Sequence, residues 1–235
     1  MNRHNASTAG YDRLANHYQL LENVLFGAKL QRSRVAMLPT LPACQSALVL
    51  GDGDGRLLEA FCQSQPECCV TSVDQSERML AMQHQRIALS TSLDRVTFVR
   101  QDARAYHPEP NSIDLLVTSY FLDCFTFDDL SCCLPAWIGG LKDQGWLYVV
   151  DFQQPPDGWQ RFRGKLLLSL MHWFFRWQTK LPNRHLVDID SVLQRQPLKL
   201  VKQIVFDQGL IRAQLYQVSR EASITETEVC CKHAL

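Results

Sequence analysis

The stretch Leu48-Val49-Leu50-Gly51-Asp52-Gly53-Asp54-Gly55-Arg56 decides how this chain is read. A short apolar run, Ala47–Leu50, meets three alternating glycines. A segment with Leu57, Leu58, Phe61 and Cys62 at helical spacing follows. That order, strand then glycine turn then helix, opens a βα unit. Glycines there let the backbone take positive φ and approach a ligand closely.

The same alternation repeats on the carboxyl side of the loop. Cys69–Val73 reads as a second strand ending at Asp74, followed by a helix over Glu77–Leu89. Val96–Arg100 reads as a third strand ending near Asp102, Ile113–Thr118 as a fourth, and Trp146–Val150 as a fifth ending at Asp151. Short apolar runs without polar alternation, separated by helices, are the mark of parallel strands buried on both faces. Leu198–Phe206 and Leu210–Val218 are joined by Asp207-Gln208-Gly209, a turn sequence, and so predict an antiparallel hairpin. A short helix is expected around Asp190–Gln194. The expected architecture is α/β: a doubly wound, mostly parallel seven-stranded sheet, Rossmann-like, that ends in an antiparallel hairpin.

Before this core, Tyr11, Leu14, Tyr18, Leu21 and Leu25 recur at spacings of three and four, predicting a helical cap over residues 1–42 that Pro39 and Pro42 end. The main domain is expected over 43–220, with an apolar insertion at 153–190 and an aperiodic, loose tail at 221–235. Within the insertion, Arg161–Lys180 is apolar almost all round, through Leu166, Leu170, Met171, Trp173, Phe174 and Trp177. Such a helix must be buried, cover a ligand or meet a partner. Its flanking Arg161, Arg163, Lys165, Arg176 and Lys180 also fit a peripheral membrane or dimer contact.

Composition narrows the function classes. Of 235 residues, 46% are hydrophobic and 20% charged, enough to build a core. The 24 basic residues balance 24 acidic ones. No net positive field exists to favour nucleic acid, and no basic–aromatic interleaving marks a base-reading site. The nine cysteines include three adjacent pairs but no CxxC, so no metal site is predicted and reduced thiols in a cytoplasm are expected. The polar N-terminal residues do not resemble a secretory leader.

Three ligands compete for the glycine loop. A dinucleotide expects a third glycine where Arg56 stands, and Asp52 and Asp54 put carboxylates where a pyrophosphate would lie. Calcium would need oxygen ligands at Arg56 and Gln63. S-adenosylmethionine has no phosphate and carries two cationic groups, which suits an acidic loop. An empty turn is the plain alternative. Asp74, about 20 residues past the loop, stands where an acid accepts ribose hydroxyls. Asp102 can accept from an adenine amino group while the next backbone N–H donates to the ring.

The order GDGDG at 51–55, Asp74, Asp102, TSYFLDCF at 118–125 and Gly145-Trp146 resembles the class I S-adenosylmethionine-dependent methyltransferases, over about residues 45–218. The leading Tyr11-Asp12-Arg13-Leu14-Ala15 and Tyr18 look like the cap of the ubiquinone/menaquinone-type and related small-molecule members. The resemblance implies S-adenosylmethionine bound by Gly51, Asp52, Gly53, Gly55, Asp74, Gln75, Asp102, Ala103 and Ser119, with Tyr11, Tyr18, Phe121 and Phe174 facing a small acceptor. One departure is Val49, where many members carry an acid; Asp52 is then the nearest anion for the ligand's amino group.

Methyl transfer asks mainly for alignment and exclusion of water. If a base is needed, Asp123 and His172 are the first candidates, with His185 and His17 behind them. Asp123 could instead cap a helix, and His172 could be a packed core histidine. A nucleotide-dependent oxidoreductase and a non-catalytic scaffold of the same fold are the competing functions.

Overall fold

The structure is a computed structural model that describes residues 28–90, 93–153 and 187–220. Its centre is a seven-stranded sheet in the order β3-β2-β1-β4-β5-β7-β6. The strands are β1 (Ser46–Leu50), β2 (Cys69–Asp74), β3 (Val96–Arg100), β4 (Ile113–Ser119), β5 (Leu141–Phe152), β6 (Leu198–Phe206) and β7 (Ile211–Val218). The first five run parallel, while β7 lies antiparallel between β5 and β6. The chain reverses direction of travel across the sheet between β1 and β4, so their carboxyl ends flank the crevice where open α/β sheets bind ligands.

The helices are α1 (Lys29–Val35), α2 (Arg56–Ser64), α3 (Glu77–Ser90), α4 (Phe127–Gly139) and α5 (Ile189–Leu193). They divide between two apolar layers because successive strand residues point to opposite faces. Ala47 and Val49 of β1 join Tyr148 and Val150 of β5 against Leu57, Leu58 and Phe61 of α2. Leu48 and Leu50 join Leu147 and Val149 against Leu130, Leu134 and Trp137 of α4 and Val192 of α5. The uninterrupted apolar runs that predicted two-sided burial are those buried strands.

Sequence and structure differ in two places. The sequence pattern marks no bounds for a helix between the fourth and fifth strands, beyond Asp123 as a possible cap; α4 fills that connection despite Pro135 in its interior. Its start is specified by a capping box: Thr126 Oγ1 accepts the Asp129 N–H, and Asp129 answers toward the Thr126 N–H. β5 begins at Leu141, earlier than the apolar run from Trp146, with an irregular register between Ile113 and Leu115 on its neighbour. Polar residues Lys142–Gln144 hid that extension from a hydrophobicity pattern.

At the amino edge, Asp114 of β4 clamps the start of β1. It accepts from the Gln45 and Ser46 N–H groups at 3.0 and 2.9 Å and from Lys142 Nζ at 2.7 Å. The predicted hairpin closes through Asp207–Gly209, all three at positive φ (46, 57 and 95°). Outer strand β6 exposes Leu200, Val201 and Val205, but Lys199, Lys202 and an irregularity between Leu200 and Lys202 blunt its edge. Among the described residues, no helix is long and apolar enough to cross a membrane. The remainder of the cap (Tyr11, His17 and Tyr18 included), most of the insertion (His172, Phe174 and His185 included) and the tail at 221–235 lie outside the described residues.

Candidate active site

The glycine loop leaves the carboxyl end of β1, with the Gly51 N–H bonded to the Val73 carbonyl of β2 at 2.9 Å. Gly51 and Gly53 take φ of +62 and +65°, a region that side-chain-bearing residues rarely adopt. The two differ in surroundings. A Cβ at Gly51 would stand 2.0 Å from Cδ2 of Phe121, whereas one at Gly53 meets nothing within 4 Å. The loop is thus closed by an aromatic ring at its first glycine and open at its second.

The loop's aspartates turn away from that open side. Asp52 is buried, and its Oδ2 accepts the Leu58 N–H of α2 at 2.8 Å, with the Leu57 N–H also reaching the carboxylate. Burial pushes its carboxyl up to about 7, opposed by those N–H groups and by Arg34 of α1. Asp54 is equally buried and pairs with Arg56 at 3.1 Å and Arg86 of α3 at 3.4 Å. The expected repulsion between these acids and a pyrophosphate is therefore largely compensated. A different effect replaces it. The first-turn N–H groups of α2, which cradle phosphate in dinucleotide folds, are already taken by Asp52.

α3 supplies a residue that sequence reading missed. Gln83 is fully buried, accepts from Ser72 Oγ at 2.7 Å and donates to the Gly53 carbonyl at 2.8 Å. A polar residue on the buried face of an otherwise amphipathic helix was the available signal. Ser76, also buried, caps α3 by accepting the Met79 N–H at 3.2 Å.

The sequence-predicted positions gather along the carboxyl edges of β1 to β4. Asp74 ends β2, half-buried, and accepts the Ser76 N–H at 2.9 Å across Gln75. Asp102 follows β3 and accepts from Arg104 at both carboxylate oxygens, at 2.6 to 3.1 Å. Ala103 is buried, its carbonyl held by the indole N–H of Trp137 at 3.1 Å. Ser119 ends β4 with a buried Oγ that has no hydrogen-bond partner among the described residues. Unsatisfied buried hydroxyls are rare in folded proteins, and one at a ligand crevice fits a group that a ligand completes.

Beyond β4 the chain turns sharply at Tyr120, whose φ is +52°. The Tyr120 ring stacks on Phe152 at 4.8 Å, Arg34 lies over it at 5.1 Å, and its hydroxyl meets Ser33 Oγ at 2.5 Å. α1 is thereby bound to the site's rim. Phe121 packs edge-on against Phe125 with centroids 4.9 Å apart, and Phe125 in turn on Trp137 at 5.7 Å. Asp123 sits in the following tight turn, Leu122–Cys124. It does not cap α4, since Thr126 does. Burial raises its carboxyl to about 6, against the hydrogen bond it accepts from Cys124 Sγ at 3.6 Å. The Cys124 thiol is itself pushed well up, first by burial and then by Asp123, Asp151 and Asp74. Carboxylates from the β4–α4 turn, β5 and β2 thus all act on the Cys124 thiol. Among the described residues, no cluster of His, Cys, Asp and Glu is disposed to hold a metal ion.

Residues 47–145 match the family model of a methyltransferase domain. That match spans β1 through the start of β5 and includes every glycine and acid of the loop. Over these residues the chain carries a methyltransferase domain.

Solved structures place the whole methyltransferase fold beside it. The mitomycin 7-O-methyltransferase MmcR is 14% identical with a TM-score of 0.63, covering 89% of this chain and 60% of its own. An O-methyltransferase family 2 protein of Planctomyces limnophilus, in complex with apigenin, is 18% identical with a TM-score of 0.65, covering 86% and 61%. The N-methyltransferase NodS of Bradyrhizobium japonicum, in complex with S-adenosylhomocysteine, is 14% identical with a TM-score of 0.57, covering 88% and 87%. At these identities the likeness is one of fold. The chain spans about six tenths of the length of the two O-methyltransferases. No curated protein matches its sequence.

Proposed function

We propose that this protein transfers the methyl group of S-adenosylmethionine to a small, apolar acceptor of aromatic or lipid-like character. The observation that carries the choice of cofactor is Asp52 on the N-terminus of α2. A dinucleotide would need those N–H groups for its pyrophosphate, whereas a phosphate-free sulfonium ligand needs only the open backbone at Gly53. The crevice fits that ligand, with an unfilled face at the second glycine, an orphaned Ser119 hydroxyl and an acid ending β2.

In this reading Gly51, Gly53, Gly55 and Ser119 line the methionine end, and Asp74 with Gln75 takes the ribose. Asp102 and Ala103 flank the adenine. Asp102 already fills its lone pairs with Arg104, so its bond to the base requires the guanidinium to swing outward. Asp52 is engaged with α2, so the negative field for the amino group is assigned to Asp123 and Asp74, which both act on the neighbouring Cys124 thiol.

The bound cofactor supplies a methyl carbon already activated by its sulfonium. The chain's own tasks are to align the acceptor and keep water out, and alignment alone can lower the barrier by about 7–11 kcal/mol. Asp123, with its raised carboxyl at about 6, is placed to take a proton from an acceptor at neutral pH. Tyr11, Tyr18, His172 and Phe174 enter as acceptor-facing residues on their sequence alone, within the cap and the apolar segment 161–180. The mitomycin enzyme and the apigenin-bound protein support an aromatic acceptor on this fold.

The deciding experiment is calorimetric titration with S-adenosylmethionine, S-adenosylhomocysteine and NADH. Binding of both sulfur ligands without NADH is expected, followed by methyl transfer in a screen of phenols, quinones and lipids. NADH binding would replace this reading with the oxidoreductase, and sulfur-ligand binding without turnover on any acceptor would favour the scaffold.

A further inference from the structure

Asp151 ends the parallel part of the sheet at β5, almost fully buried, and the reading above gives it no role. Its Oδ2 accepts the Leu122 N–H at 3.0 Å and its Oδ1 accepts the Phe152 N–H at 2.9 Å. The Asp123 N–H also reaches the carboxylate. Leu122 and Asp123 belong to the turn that leaves β4, so one buried side chain from β5 collects the N–H groups of a neighbouring strand's exit.

That turn has few other ties. The Tyr120 N–H bonds to the Val150 carbonyl at 2.7 Å, and the Cys124 and Phe125 N–H groups bond back within the turn at 3.1 and 3.2 Å. The Leu122 N–H, past the end of the strand, meets the Asp151 carboxylate. A carboxylate serves such a cluster where an amide cannot, since both of its oxygens accept. Desolvating a second acid beside Asp123 is unfavourable; the three N–H groups offset part of that cost, and burial and then Asp123 still hold the Asp151 carboxyl well above the ordinary carboxylate range.

We infer that Asp151 is a positioning residue for the β4–α4 turn: by gathering its N–H groups it seats Phe121 against Gly51 and sets where the Asp123 carboxylate stands. The mechanism follows from chain geometry. Phe121 immediately precedes Leu122, and its ring fills the space that a Cβ on Gly51 would need, 2.0 Å from that position. A shift of the turn by a fraction of an ångström therefore either presses the ring into the glycine loop or opens a gap there. The groups facing Asp123 among the described residues are Cys124 of its own turn, Asp151 of β5 and, through Cys124, Asp74 of β2. The functional weight of the inference rests on the methyl-transfer reading; the positional claim does not.

The test uses the whole chain. Gly51 lies against the face or edge of the Phe121 ring, so its α-proton resonances carry a ring-current shift. In Asp151→Asn, which turns one acceptor into a donor, that shift should collapse toward the ordinary glycine value. S-adenosylhomocysteine should bind about tenfold more weakly, the scale of one charged hydrogen bond. A merely structural role would lower the melting temperature and leave both the Gly51 resonances and the affinity of the folded protein unchanged, which would overturn the inference. If Asp151→Asn does not fold, the wild type answers by pH titration. The Leu122, Asp123 and Phe152 amides and the Gly51 α-protons should move together with the Asp151 carboxyl carbon. Amides that stay fixed while that carboxyl titrates would sink the proposal. Wild-type protein that binds no sulfur ligand yet keeps the Gly51–Phe121 signature would overturn the proposed function and leave this inference standing.

Discussion

Phe121 closes the glycine loop by lying on Gly51: a Cβ added there would come within 2.0 Å of Cδ2 and 2.3 Å of Cε2 of the ring. Gly51→Ala therefore combines a left-handed backbone with overpacking against an aromatic cluster. The expected loss is about 2–5 kcal/mol by denaturant unfolding, with cofactor binding abolished. Gly53→Ala, with the same sign of φ but open space around it, should lose only about 1–2 kcal/mol. Equal losses at the two positions would show that the ring does not press on the loop.

Asp52 sets a pH dependence of stability. Its carboxyl is raised from 3.8 to about 7 in the folded protein, first by burial. Between those values the native state holds a proton that the unfolded chain releases, so this group's contribution is present at low pH and is lost as pH rises through about 7. Asp52→Asn keeps an acceptor for the Leu58 N–H and removes the titration. Unfolding free energies measured at about pH 5 and pH 7.5 should fall more steeply for the wild type than for the variant. Parallel profiles would place the titration elsewhere.

Gln83 joins Ser72 to the Gly53 carbonyl through two short hydrogen bonds inside the core. Gln83→Leu fills similar volume but strands both partners without water. A destabilisation of about 2–4 kcal/mol is expected, together with weaker binding of S-adenosylhomocysteine because Gly53 loses its anchor. Thermal melting and calorimetry read the two effects separately.

Asp74→Ala should weaken S-adenosylmethionine binding by about 1–3 kcal/mol through lost charged hydrogen bonds, measured by calorimetric titration. The fold should survive, since Asp74 stands at the end of β2, where it accepts the Ser76 N–H outside the two apolar layers. Unchanged affinity would remove the ribose assignment.

Phe174→Ala addresses the acceptor side. If the apolar segment 161–180 covers the acceptor, methyl transfer to that acceptor should fall at least about tenfold, the scale of burying one aromatic ring, while cofactor affinity is unchanged. Equal loss of both would assign the segment to packing.

The first three strands and the hairpin were legible because each is a local signal. β3 and β6 have the predicted bounds, and β2 ends at the Asp74 that marked it. Short runs rich in valine and other β-branched residues, set between helical segments, favour strands, and Asp207-Gln208-Gly209 favours a turn. The β4–β5 connection was less legible. Its apolar residues mark no clean stripe around Pro135, and the Thr126-x-x-Asp129 box is the signal that would have found α4.

The alternation of strands and helices, the glycine loop, the acid that ends β2 and the one just past β3 can be read from the residues alone, because spacing and residue type act over a few neighbours. What the acids do depends on packing. Asp52 and Asp54 are indistinguishable in the string GDGDG, yet one caps α2 beneath Arg34 and the other pairs with Arg56 and Arg86. Asp151 looked like the end of a strand and instead gathers the exit of another, 29 residues earlier in the chain. A buried carboxylate takes whatever donors the packing brings to it, and those donors come from segments whose distance along the chain says nothing of their distance in space.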